Sequence, residues 1–262
     1  MACYDPLFDI KITLSDTGEK NVRPFERLMC FFSRENVIHL EKSDEAKAVY
    51  NALGWNEKNH DVINSFWMLF TRLIHIEYPY KYKLSSYGNI RGLYKDSFPE
   101  HYLEAYKTYR SQADALRKVY RLDELAELCH CAANFMPCPD NLFNTAKGTS
   151  KACDFLPLVI QLIESERGNG FRRVFIYQNT KMISGSTIRQ WGDWFIKNRE
   201  RYCLSMYYDI DGERLVPKML FNGQTLDHAF PVNRAEGKEC VDNIIRCIKE
   251  RAEIMAERLN NH

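Results

Sequence analysis

Two prolines in alternation, in Asn134-Phe135-Met136-Pro137-Cys138-Pro139, constrain this chain more than any other stretch. Each removes a backbone donor and biases the residue before it toward extended geometry, so a helix arriving through Leu122, Leu125 and Leu128 has to end there. Asp140, Asn141, Asn144 and Gly148 follow with turn chemistry, and an apolar helix restarts beyond Asp154, which can cap it. The segment from Leu128 to Glu164 is thus expected to be a helix end, an ordered turn system and a new helix. In that reading Asn134 and Asn144 tie loop backbone together, while Phe135, Met136, Leu142 and Phe143 fill the core. The same loop supplies three polar candidates for a binding site: Asn134, Asn144 and Lys147.

The pattern Asn134-Phe135-x-Pro137-x-Pro139, Phe143-Asn144, Lys147-Gly148 and Asp154 resembles a family of uncharacterised bacterial proteins. Trp191-x-x-Trp194-Phe195-Ile196-x-Asn198 fits that family's pattern loosely. The resemblance implies a bacterial protein and no particular activity. A fainter likeness runs to the Asn-rich segment that follows the catalytic core in some HNH-type endonucleases. No His-rich metal motif precedes it here, so that chemistry does not carry over.

Elsewhere the patterns predict mostly helices. Ser43 can cap a helix that runs through Leu53 to Gly54, and Asp61 can cap one reaching about Ile76. Ser97-Phe98-Pro99-Glu100 has the serine cap, early proline and glutamate of a capping box. The helix or pair of helices that it opens, with Leu103, Tyr106, Leu116 and Tyr120 on one face, leads to the central loop. Thr187-x-x-Gln190 reads as a second capping box, after a loop over 182–186, for a helix carrying Trp191, Trp194 and Phe195. Asn233-x-x-Glu236 opens the last helix, whose Val241, Ile244, Ile245, Ile248, Ala252 and Met255 share a side. Its end, KERAEIMAERLNN, reads as a solvated face with room for a partner helix.

Strand signals are few. Phe8, Ile10, Ile12 and Leu14 alternate with polar residues, Val37 to Leu40 can extend, and 171–177 is rich in strand formers. A hairpin is expected across 207–216, turning at Asp211-Gly212. The fold class is therefore mainly α with a minor β component, α+β, as a single globular domain over 1–262.

At 262 residues and 45% apolar content the chain can bury a sizeable core. Its 36 basic and 35 acidic residues cancel, so any polyanion site has to be a local patch. No apolar run is long enough to span a membrane, and the amino terminus lacks a signal pattern; a cytoplasmic protein with no membrane partner is expected. Nine cysteines form an odd set expected to stay reduced. Cys129-His130-Cys131 with Cys138 and Cys153 has zinc-ligand side chains, but on a helix a C-x-C pair points its thiols about 200° apart. Buried thiols are expected, with no metal and no cofactor.

The stretch EYPYKYKLSSYGNIRGLYKD, residues 77–96, interleaves Tyr78, Tyr80, Tyr82, Tyr87 and Tyr94 with Lys81, Lys83, Arg91 and Lys95. Aromatic faces stack bases and cations follow phosphates, which makes this the best local nucleic-acid candidate. As plain structure it would be a connection whose rings pack while their hydroxyls stay in water. Gly-rich phosphate loops, G-x-S-x-G and H-E-x-x-H are all absent. His39 suits a packed neutral histidine, and Arg72-x-x-His75 places a cation and a base one turn apart.

The reading that follows is a nucleic-acid or nucleotide-binding protein in a defence or regulatory setting, with RNA or single-stranded DNA as partner. Lys81, Tyr82, Lys83, Tyr87, Arg91, Asn134, Asn144 and Lys147 are its contacts. The alternatives are a metal-independent nuclease or hydrolase, and an interaction module that docks a protein on the C-terminal helix.

Overall fold

The structure, a computed structural model, describes residues 44–79, 114–129, 131–149, 155–169, 176–177 and 181–260. It is mainly helical with a minor antiparallel β component. In chain order the elements are α1 (Asp44–Ala52), β1 (His60–Val62), α2 (Phe66–Glu77), α3 (Leu122–Leu128), β2 (Phe135–Pro137), α4 (Asn141–Thr149), α5 (Leu156–Asn169), β3 (Ile176–Tyr177), β4 (Lys181–Met182), α6 (Gly185–Asn198), β5 (Tyr208–Asp211), β6 (Arg214–Pro217) and α7 (Arg234–Asn260). Residues 114–119 are helical as well and break before α3, so two consecutive helices reach the central loop. Among the described residues three two-stranded antiparallel sheets pair β1 with β2, β3 with β4 and β5 with β6.

The core forms around the first two turns of α5, Leu156 to Ile163, which are apolar on nearly every side. Leu156, Leu158, Val159, Ile160, Leu162 and Ile163 are fully buried, which a surface helix with a single apolar stripe could not achieve. It packs against α6 and β6. The 27-residue α7, about 40 Å long at the α-helical rise, is amphipathic and covers α2, α3 and the 3-10 turn Ala132–Asn134. Asn233 starts it as expected. Its side-chain oxygen accepts the Glu236 N–H at 3.0 Å, and the Glu236 carboxylate takes the Val232 N–H at 2.9 Å. Among the described residues no helix is long and apolar enough to cross a membrane.

Several local expectations are corrected. Asp61 does not start a helix: His60, Asp61 and Val62 pair with Pro137, Met136 and Phe135, and Ser65 caps α2 by accepting the Met68 N–H. The proline pair explains this, since the extended backbone it imposes makes 135–137 a strand in need of a partner. The turn residues after Pro139 are largely helix α4, capped by Asp140, whose carboxylate accepts the Phe143 N–H at 2.7 Å and the Trp191 indole N–H at 2.8 Å. Lys181–Met182 is a strand paired with Ile176–Tyr177, the part of 171–177 within the described residues. Ser184, three residues before Thr187, is the cap of α6. The hairpin stands one residue later than Asp211-Gly212 implies: Asp211 pairs with Arg214, and Gly212 takes φ +61° at the first loop position. The strand expected over 8–14, the 37–40 segment, the Ser97 helix start and Asp154 lie outside the described residues.

Candidate functional site

The polar groups of the described core converge where the 131–137 segment crosses under α7. Asn134, fully buried, accepts from the Asn64 backbone N–H at 3.2 Å and from the Asn64 side-chain amide at 3.3 Å. Its own amide donates to the carbonyls of Asn64 at 3.1 Å and Cys129 at 2.7 Å. One side chain thus ties the end of α3, the β1–α2 connection and the 3-10 turn together, the role that its position in the loop predicts. The buried Asn64 amide also donates to the Tyr207 hydroxyl at 3.4 Å.

Arg251 stands at the centre of this region and is fully buried. Its guanidinium donates to the carbonyls of Ala133 at 2.7 Å, Phe135 at 2.6 Å, Tyr202 at 2.9 Å and Cys203 at 3.1 Å, and lies over Trp55. The Tyr202 and Cys203 carbonyls belong to a helix end. Beyond α6, Cys203 takes φ +54°, its N–H bonds the Glu200 carbonyl at 2.9 Å, and the Leu204 N–H bonds the Arg199 carbonyl at 2.9 Å, the pattern of a Schellman cap. A cation here meets the negative end of the helix dipole, which stands in for a carboxylate. Burial lowers the Arg251 pKa, and the carbonyl fork holds the guanidinium in its charged form.

Beside this node runs an aromatic column. His60 stacks on Tyr50 at 3.9 Å and 6° between planes, Tyr50 stacks on Trp55 at 5.9 Å, and Tyr202 meets Trp55 edge-on at 5.6 Å. The Trp55 indole donates to the Arg201 carbonyl at 3.1 Å, and the Tyr202 hydroxyl donates to Glu57. Burial is the main reason that the His60 pKa falls to about 4, with Arg251 adding to the effect and Glu57 opposing it.

The sequence-based candidates distribute unevenly over this structure. Asn134 is spent within the clasp. Lys147, 1 % exposed on α4, is held by the Asp61 carboxylate at 2.9 Å and the Val62 carbonyl. Both side chains therefore fasten β1 to the loop. Asn144 is half-buried on α4. Lys81, Tyr82, Lys83, Tyr87 and Arg91 lie outside the described residues, as does His130. His75 sits in the last turn of α2, about 15 Å along the helix from the end that abuts Asn134. Cys129, Cys131 and Cys138 are buried, and Cys131 starts the 3-10 turn in extended geometry rather than lying on a helix with Cys129.

Arg251, His60, Asn64 and Glu57 are not singled out by motif reading. A signal for Arg251 exists: it lies seven residues after Ile244 and four before Met255, on the apolar side of α7. For the other three, strand pairing and loop packing decide, and no spacing rule reports those. Comparison of the chain with known protein families, curated proteins and solved structures gives no match in any of the three.

Proposed function

We propose that this chain binds single-stranded nucleic acid through the stretch from Tyr78 to Lys95. The observation that carries the reading is the interleaving of Tyr78, Tyr80, Tyr82, Tyr87 and Tyr94 with Lys81, Lys83, Arg91 and Lys95 in a chain whose overall charge is close to zero. Such a chain attracts no polyanion as a whole, and a local run of cations and flat rings is what a single strand requires. Asn134 and Lys147 are engaged inside the fold and act as scaffold with Arg251 in this reading, and the proposed contacts are Lys81, Tyr82, Lys83, Tyr87, Arg91 and Asn144.

The test is fluorescence anisotropy with labelled single-stranded RNA, single-stranded DNA and duplex over a range of salt. Exchanging Lys81, Lys83, Arg91 and Lys95 for glutamine flattens the salt slope by about 0.7 per lost phosphate contact. Exchanging Tyr82 and Tyr87 for alanine costs about 1–3 kcal/mol per stacked base and leaves the slope unchanged. Wild-type protein that binds none of the three at low salt ends the proposal.

A further inference from the structure

The aromatic column beside Arg251 contains a group that neither the fold's clasp nor the proposed binding role uses. His60 is 7 % exposed, lies flat on Tyr50, and has no hydrogen-bond partner for Nε2. An imidazole nitrogen buried without a partner is tolerated while the ring is neutral and becomes unfavourable once the nitrogen carries a proton with nowhere to donate it. We propose that His60 is an acid-released latch, whose protonation frees the connection from Leu53 to Val62 from the Arg251 node.

The groups around the ring support this direction. From α1 comes Tyr50, neutral and stacked. From the connection comes the Glu57 carboxylate, whose Oε1 is engaged by the Tyr202 hydroxyl with Arg201 3.6 Å away and whose buried Oε2 has no partner; its attraction for an imidazolium opposes the burial of the ring but is the smaller of the two effects. From α7 comes the guanidinium of Arg251, a like charge that an imidazolium would meet in the core. From β2 come Pro137 opposite His60 and then Cys138, with no charge to compensate.

The segment that would move is held by the β1–β2 pairing, by Lys147 on Asp61 and Val62, by the Tyr202 hydroxyl on Glu57, and by hydrogen bonds to neighbouring loops. The Cys138 N–H reaches the Asn59 carbonyl at 2.9 Å, the Ile63 N–H reaches the Asn134 carbonyl at 2.7 Å, and Trp55 and Gly54 each hold Arg201 through one hydrogen bond. A proton on His60 works against the Arg251 fork that supports the far side of the same strand pair. The opening is therefore local to 53–63 and 135–138, whereas the α5–α6 packing does not involve the ring.

Hydrogen exchange on the wild-type chain at pH 7 and pH 5, corrected for intrinsic rates, tests this. For a ring that titrates near 6.5 when released and near 4 when stacked, the opening equilibrium read at the Ile63 and Cys138 amides rises about 20-fold between those pH values. Amides of α6 stay unchanged. In His60→Gln the local rise disappears. A uniform rise across the chain, or the same local rise in His60→Gln, overturns the latch. Should that variant fail to fold, NMR titration of the imidazole in the wild-type chain decides: a midpoint near 6.5 refutes the proposal, and one well below 5 supports it.

Discussion

Replacing Arg251 with methionine removes the donor that four buried carbonyls share, while keeping a flexible side chain of similar length on α7. Each acceptor left buried and unsatisfied costs about 1–3 kcal/mol, so the Ala133, Phe135, Tyr202 and Cys203 carbonyls together represent roughly 4–12 kcal/mol. Against this stands the desolvation of a fully buried guanidinium, several kcal/mol that the variant no longer incurs. The net expectation is a loss of roughly 3–5 kcal/mol, the range found when one side of a buried charged network is removed. That is a large part of the roughly 5–15 kcal/mol that holds an ordinary domain folded. Arg251→Lys keeps the charge but has three donors in place of a planar fork, so it can serve only part of the set and falls between wild type and methionine. Urea denaturation followed by tryptophan fluorescence and far-UV circular dichroism reads both variants, and Trp55, which lies under the guanidinium, reports directly. A methionine variant whose unfolding free energy falls by less than about 0.5 kcal/mol at unchanged slope would refute the carbonyl-fork argument.

Two further outcomes are expected. Gly237→Ala improves intrinsic helix propensity by up to about 1 kcal/mol, yet should destabilise the fold by about 1–2 kcal/mol net. Its Cβ would stand 2.9 Å from both Leu73 Cδ2 and Tyr120 Cε1, and Tyr120 is pinned by its hydroxyl to Glu77 at 2.8 Å; a raised melting temperature would contradict this. Asn134→Ala leaves the Asn64 and Cys129 carbonyls without their side-chain donor and should cost about 2–4 kcal/mol in chemical denaturation. Asn134→Asp should be at least as damaging, because a carboxylate cannot donate to either carbonyl; tolerance of aspartate would show that the two bonds carry little.

Much of the fold is legible in the residues themselves, because the signals involved are local. Gly54, with φ +69°, ends α1 where the pattern stops, Asn233 and Glu236 start α7, and the two prolines keep their own stretch of backbone extended. Each of these acts on its own few residues of backbone, so no distant partner needs to be known. The apolar repeat of α7 is equally direct, and even Arg251 lies on its buried side. What the sequence does not reveal is which groups complete one another across the chain. The prolines require extended backbone at Phe135–Pro137, but only the fold supplies His60–Val62 as the matching strand, and with it the loss of the helix start at Asp61. In the same way Lys147 reads as a free cation until Asp61 lies 2.9 Å from it, and Arg251 as one more solvated charge until the carbonyls of two remote turns close around it. Burial is what separates these cases: a charged or polar side chain shows its type in the sequence, whereas the partner that makes its burial tolerable comes from 48 to 118 residues away for Arg251 and exists only once the chain has folded.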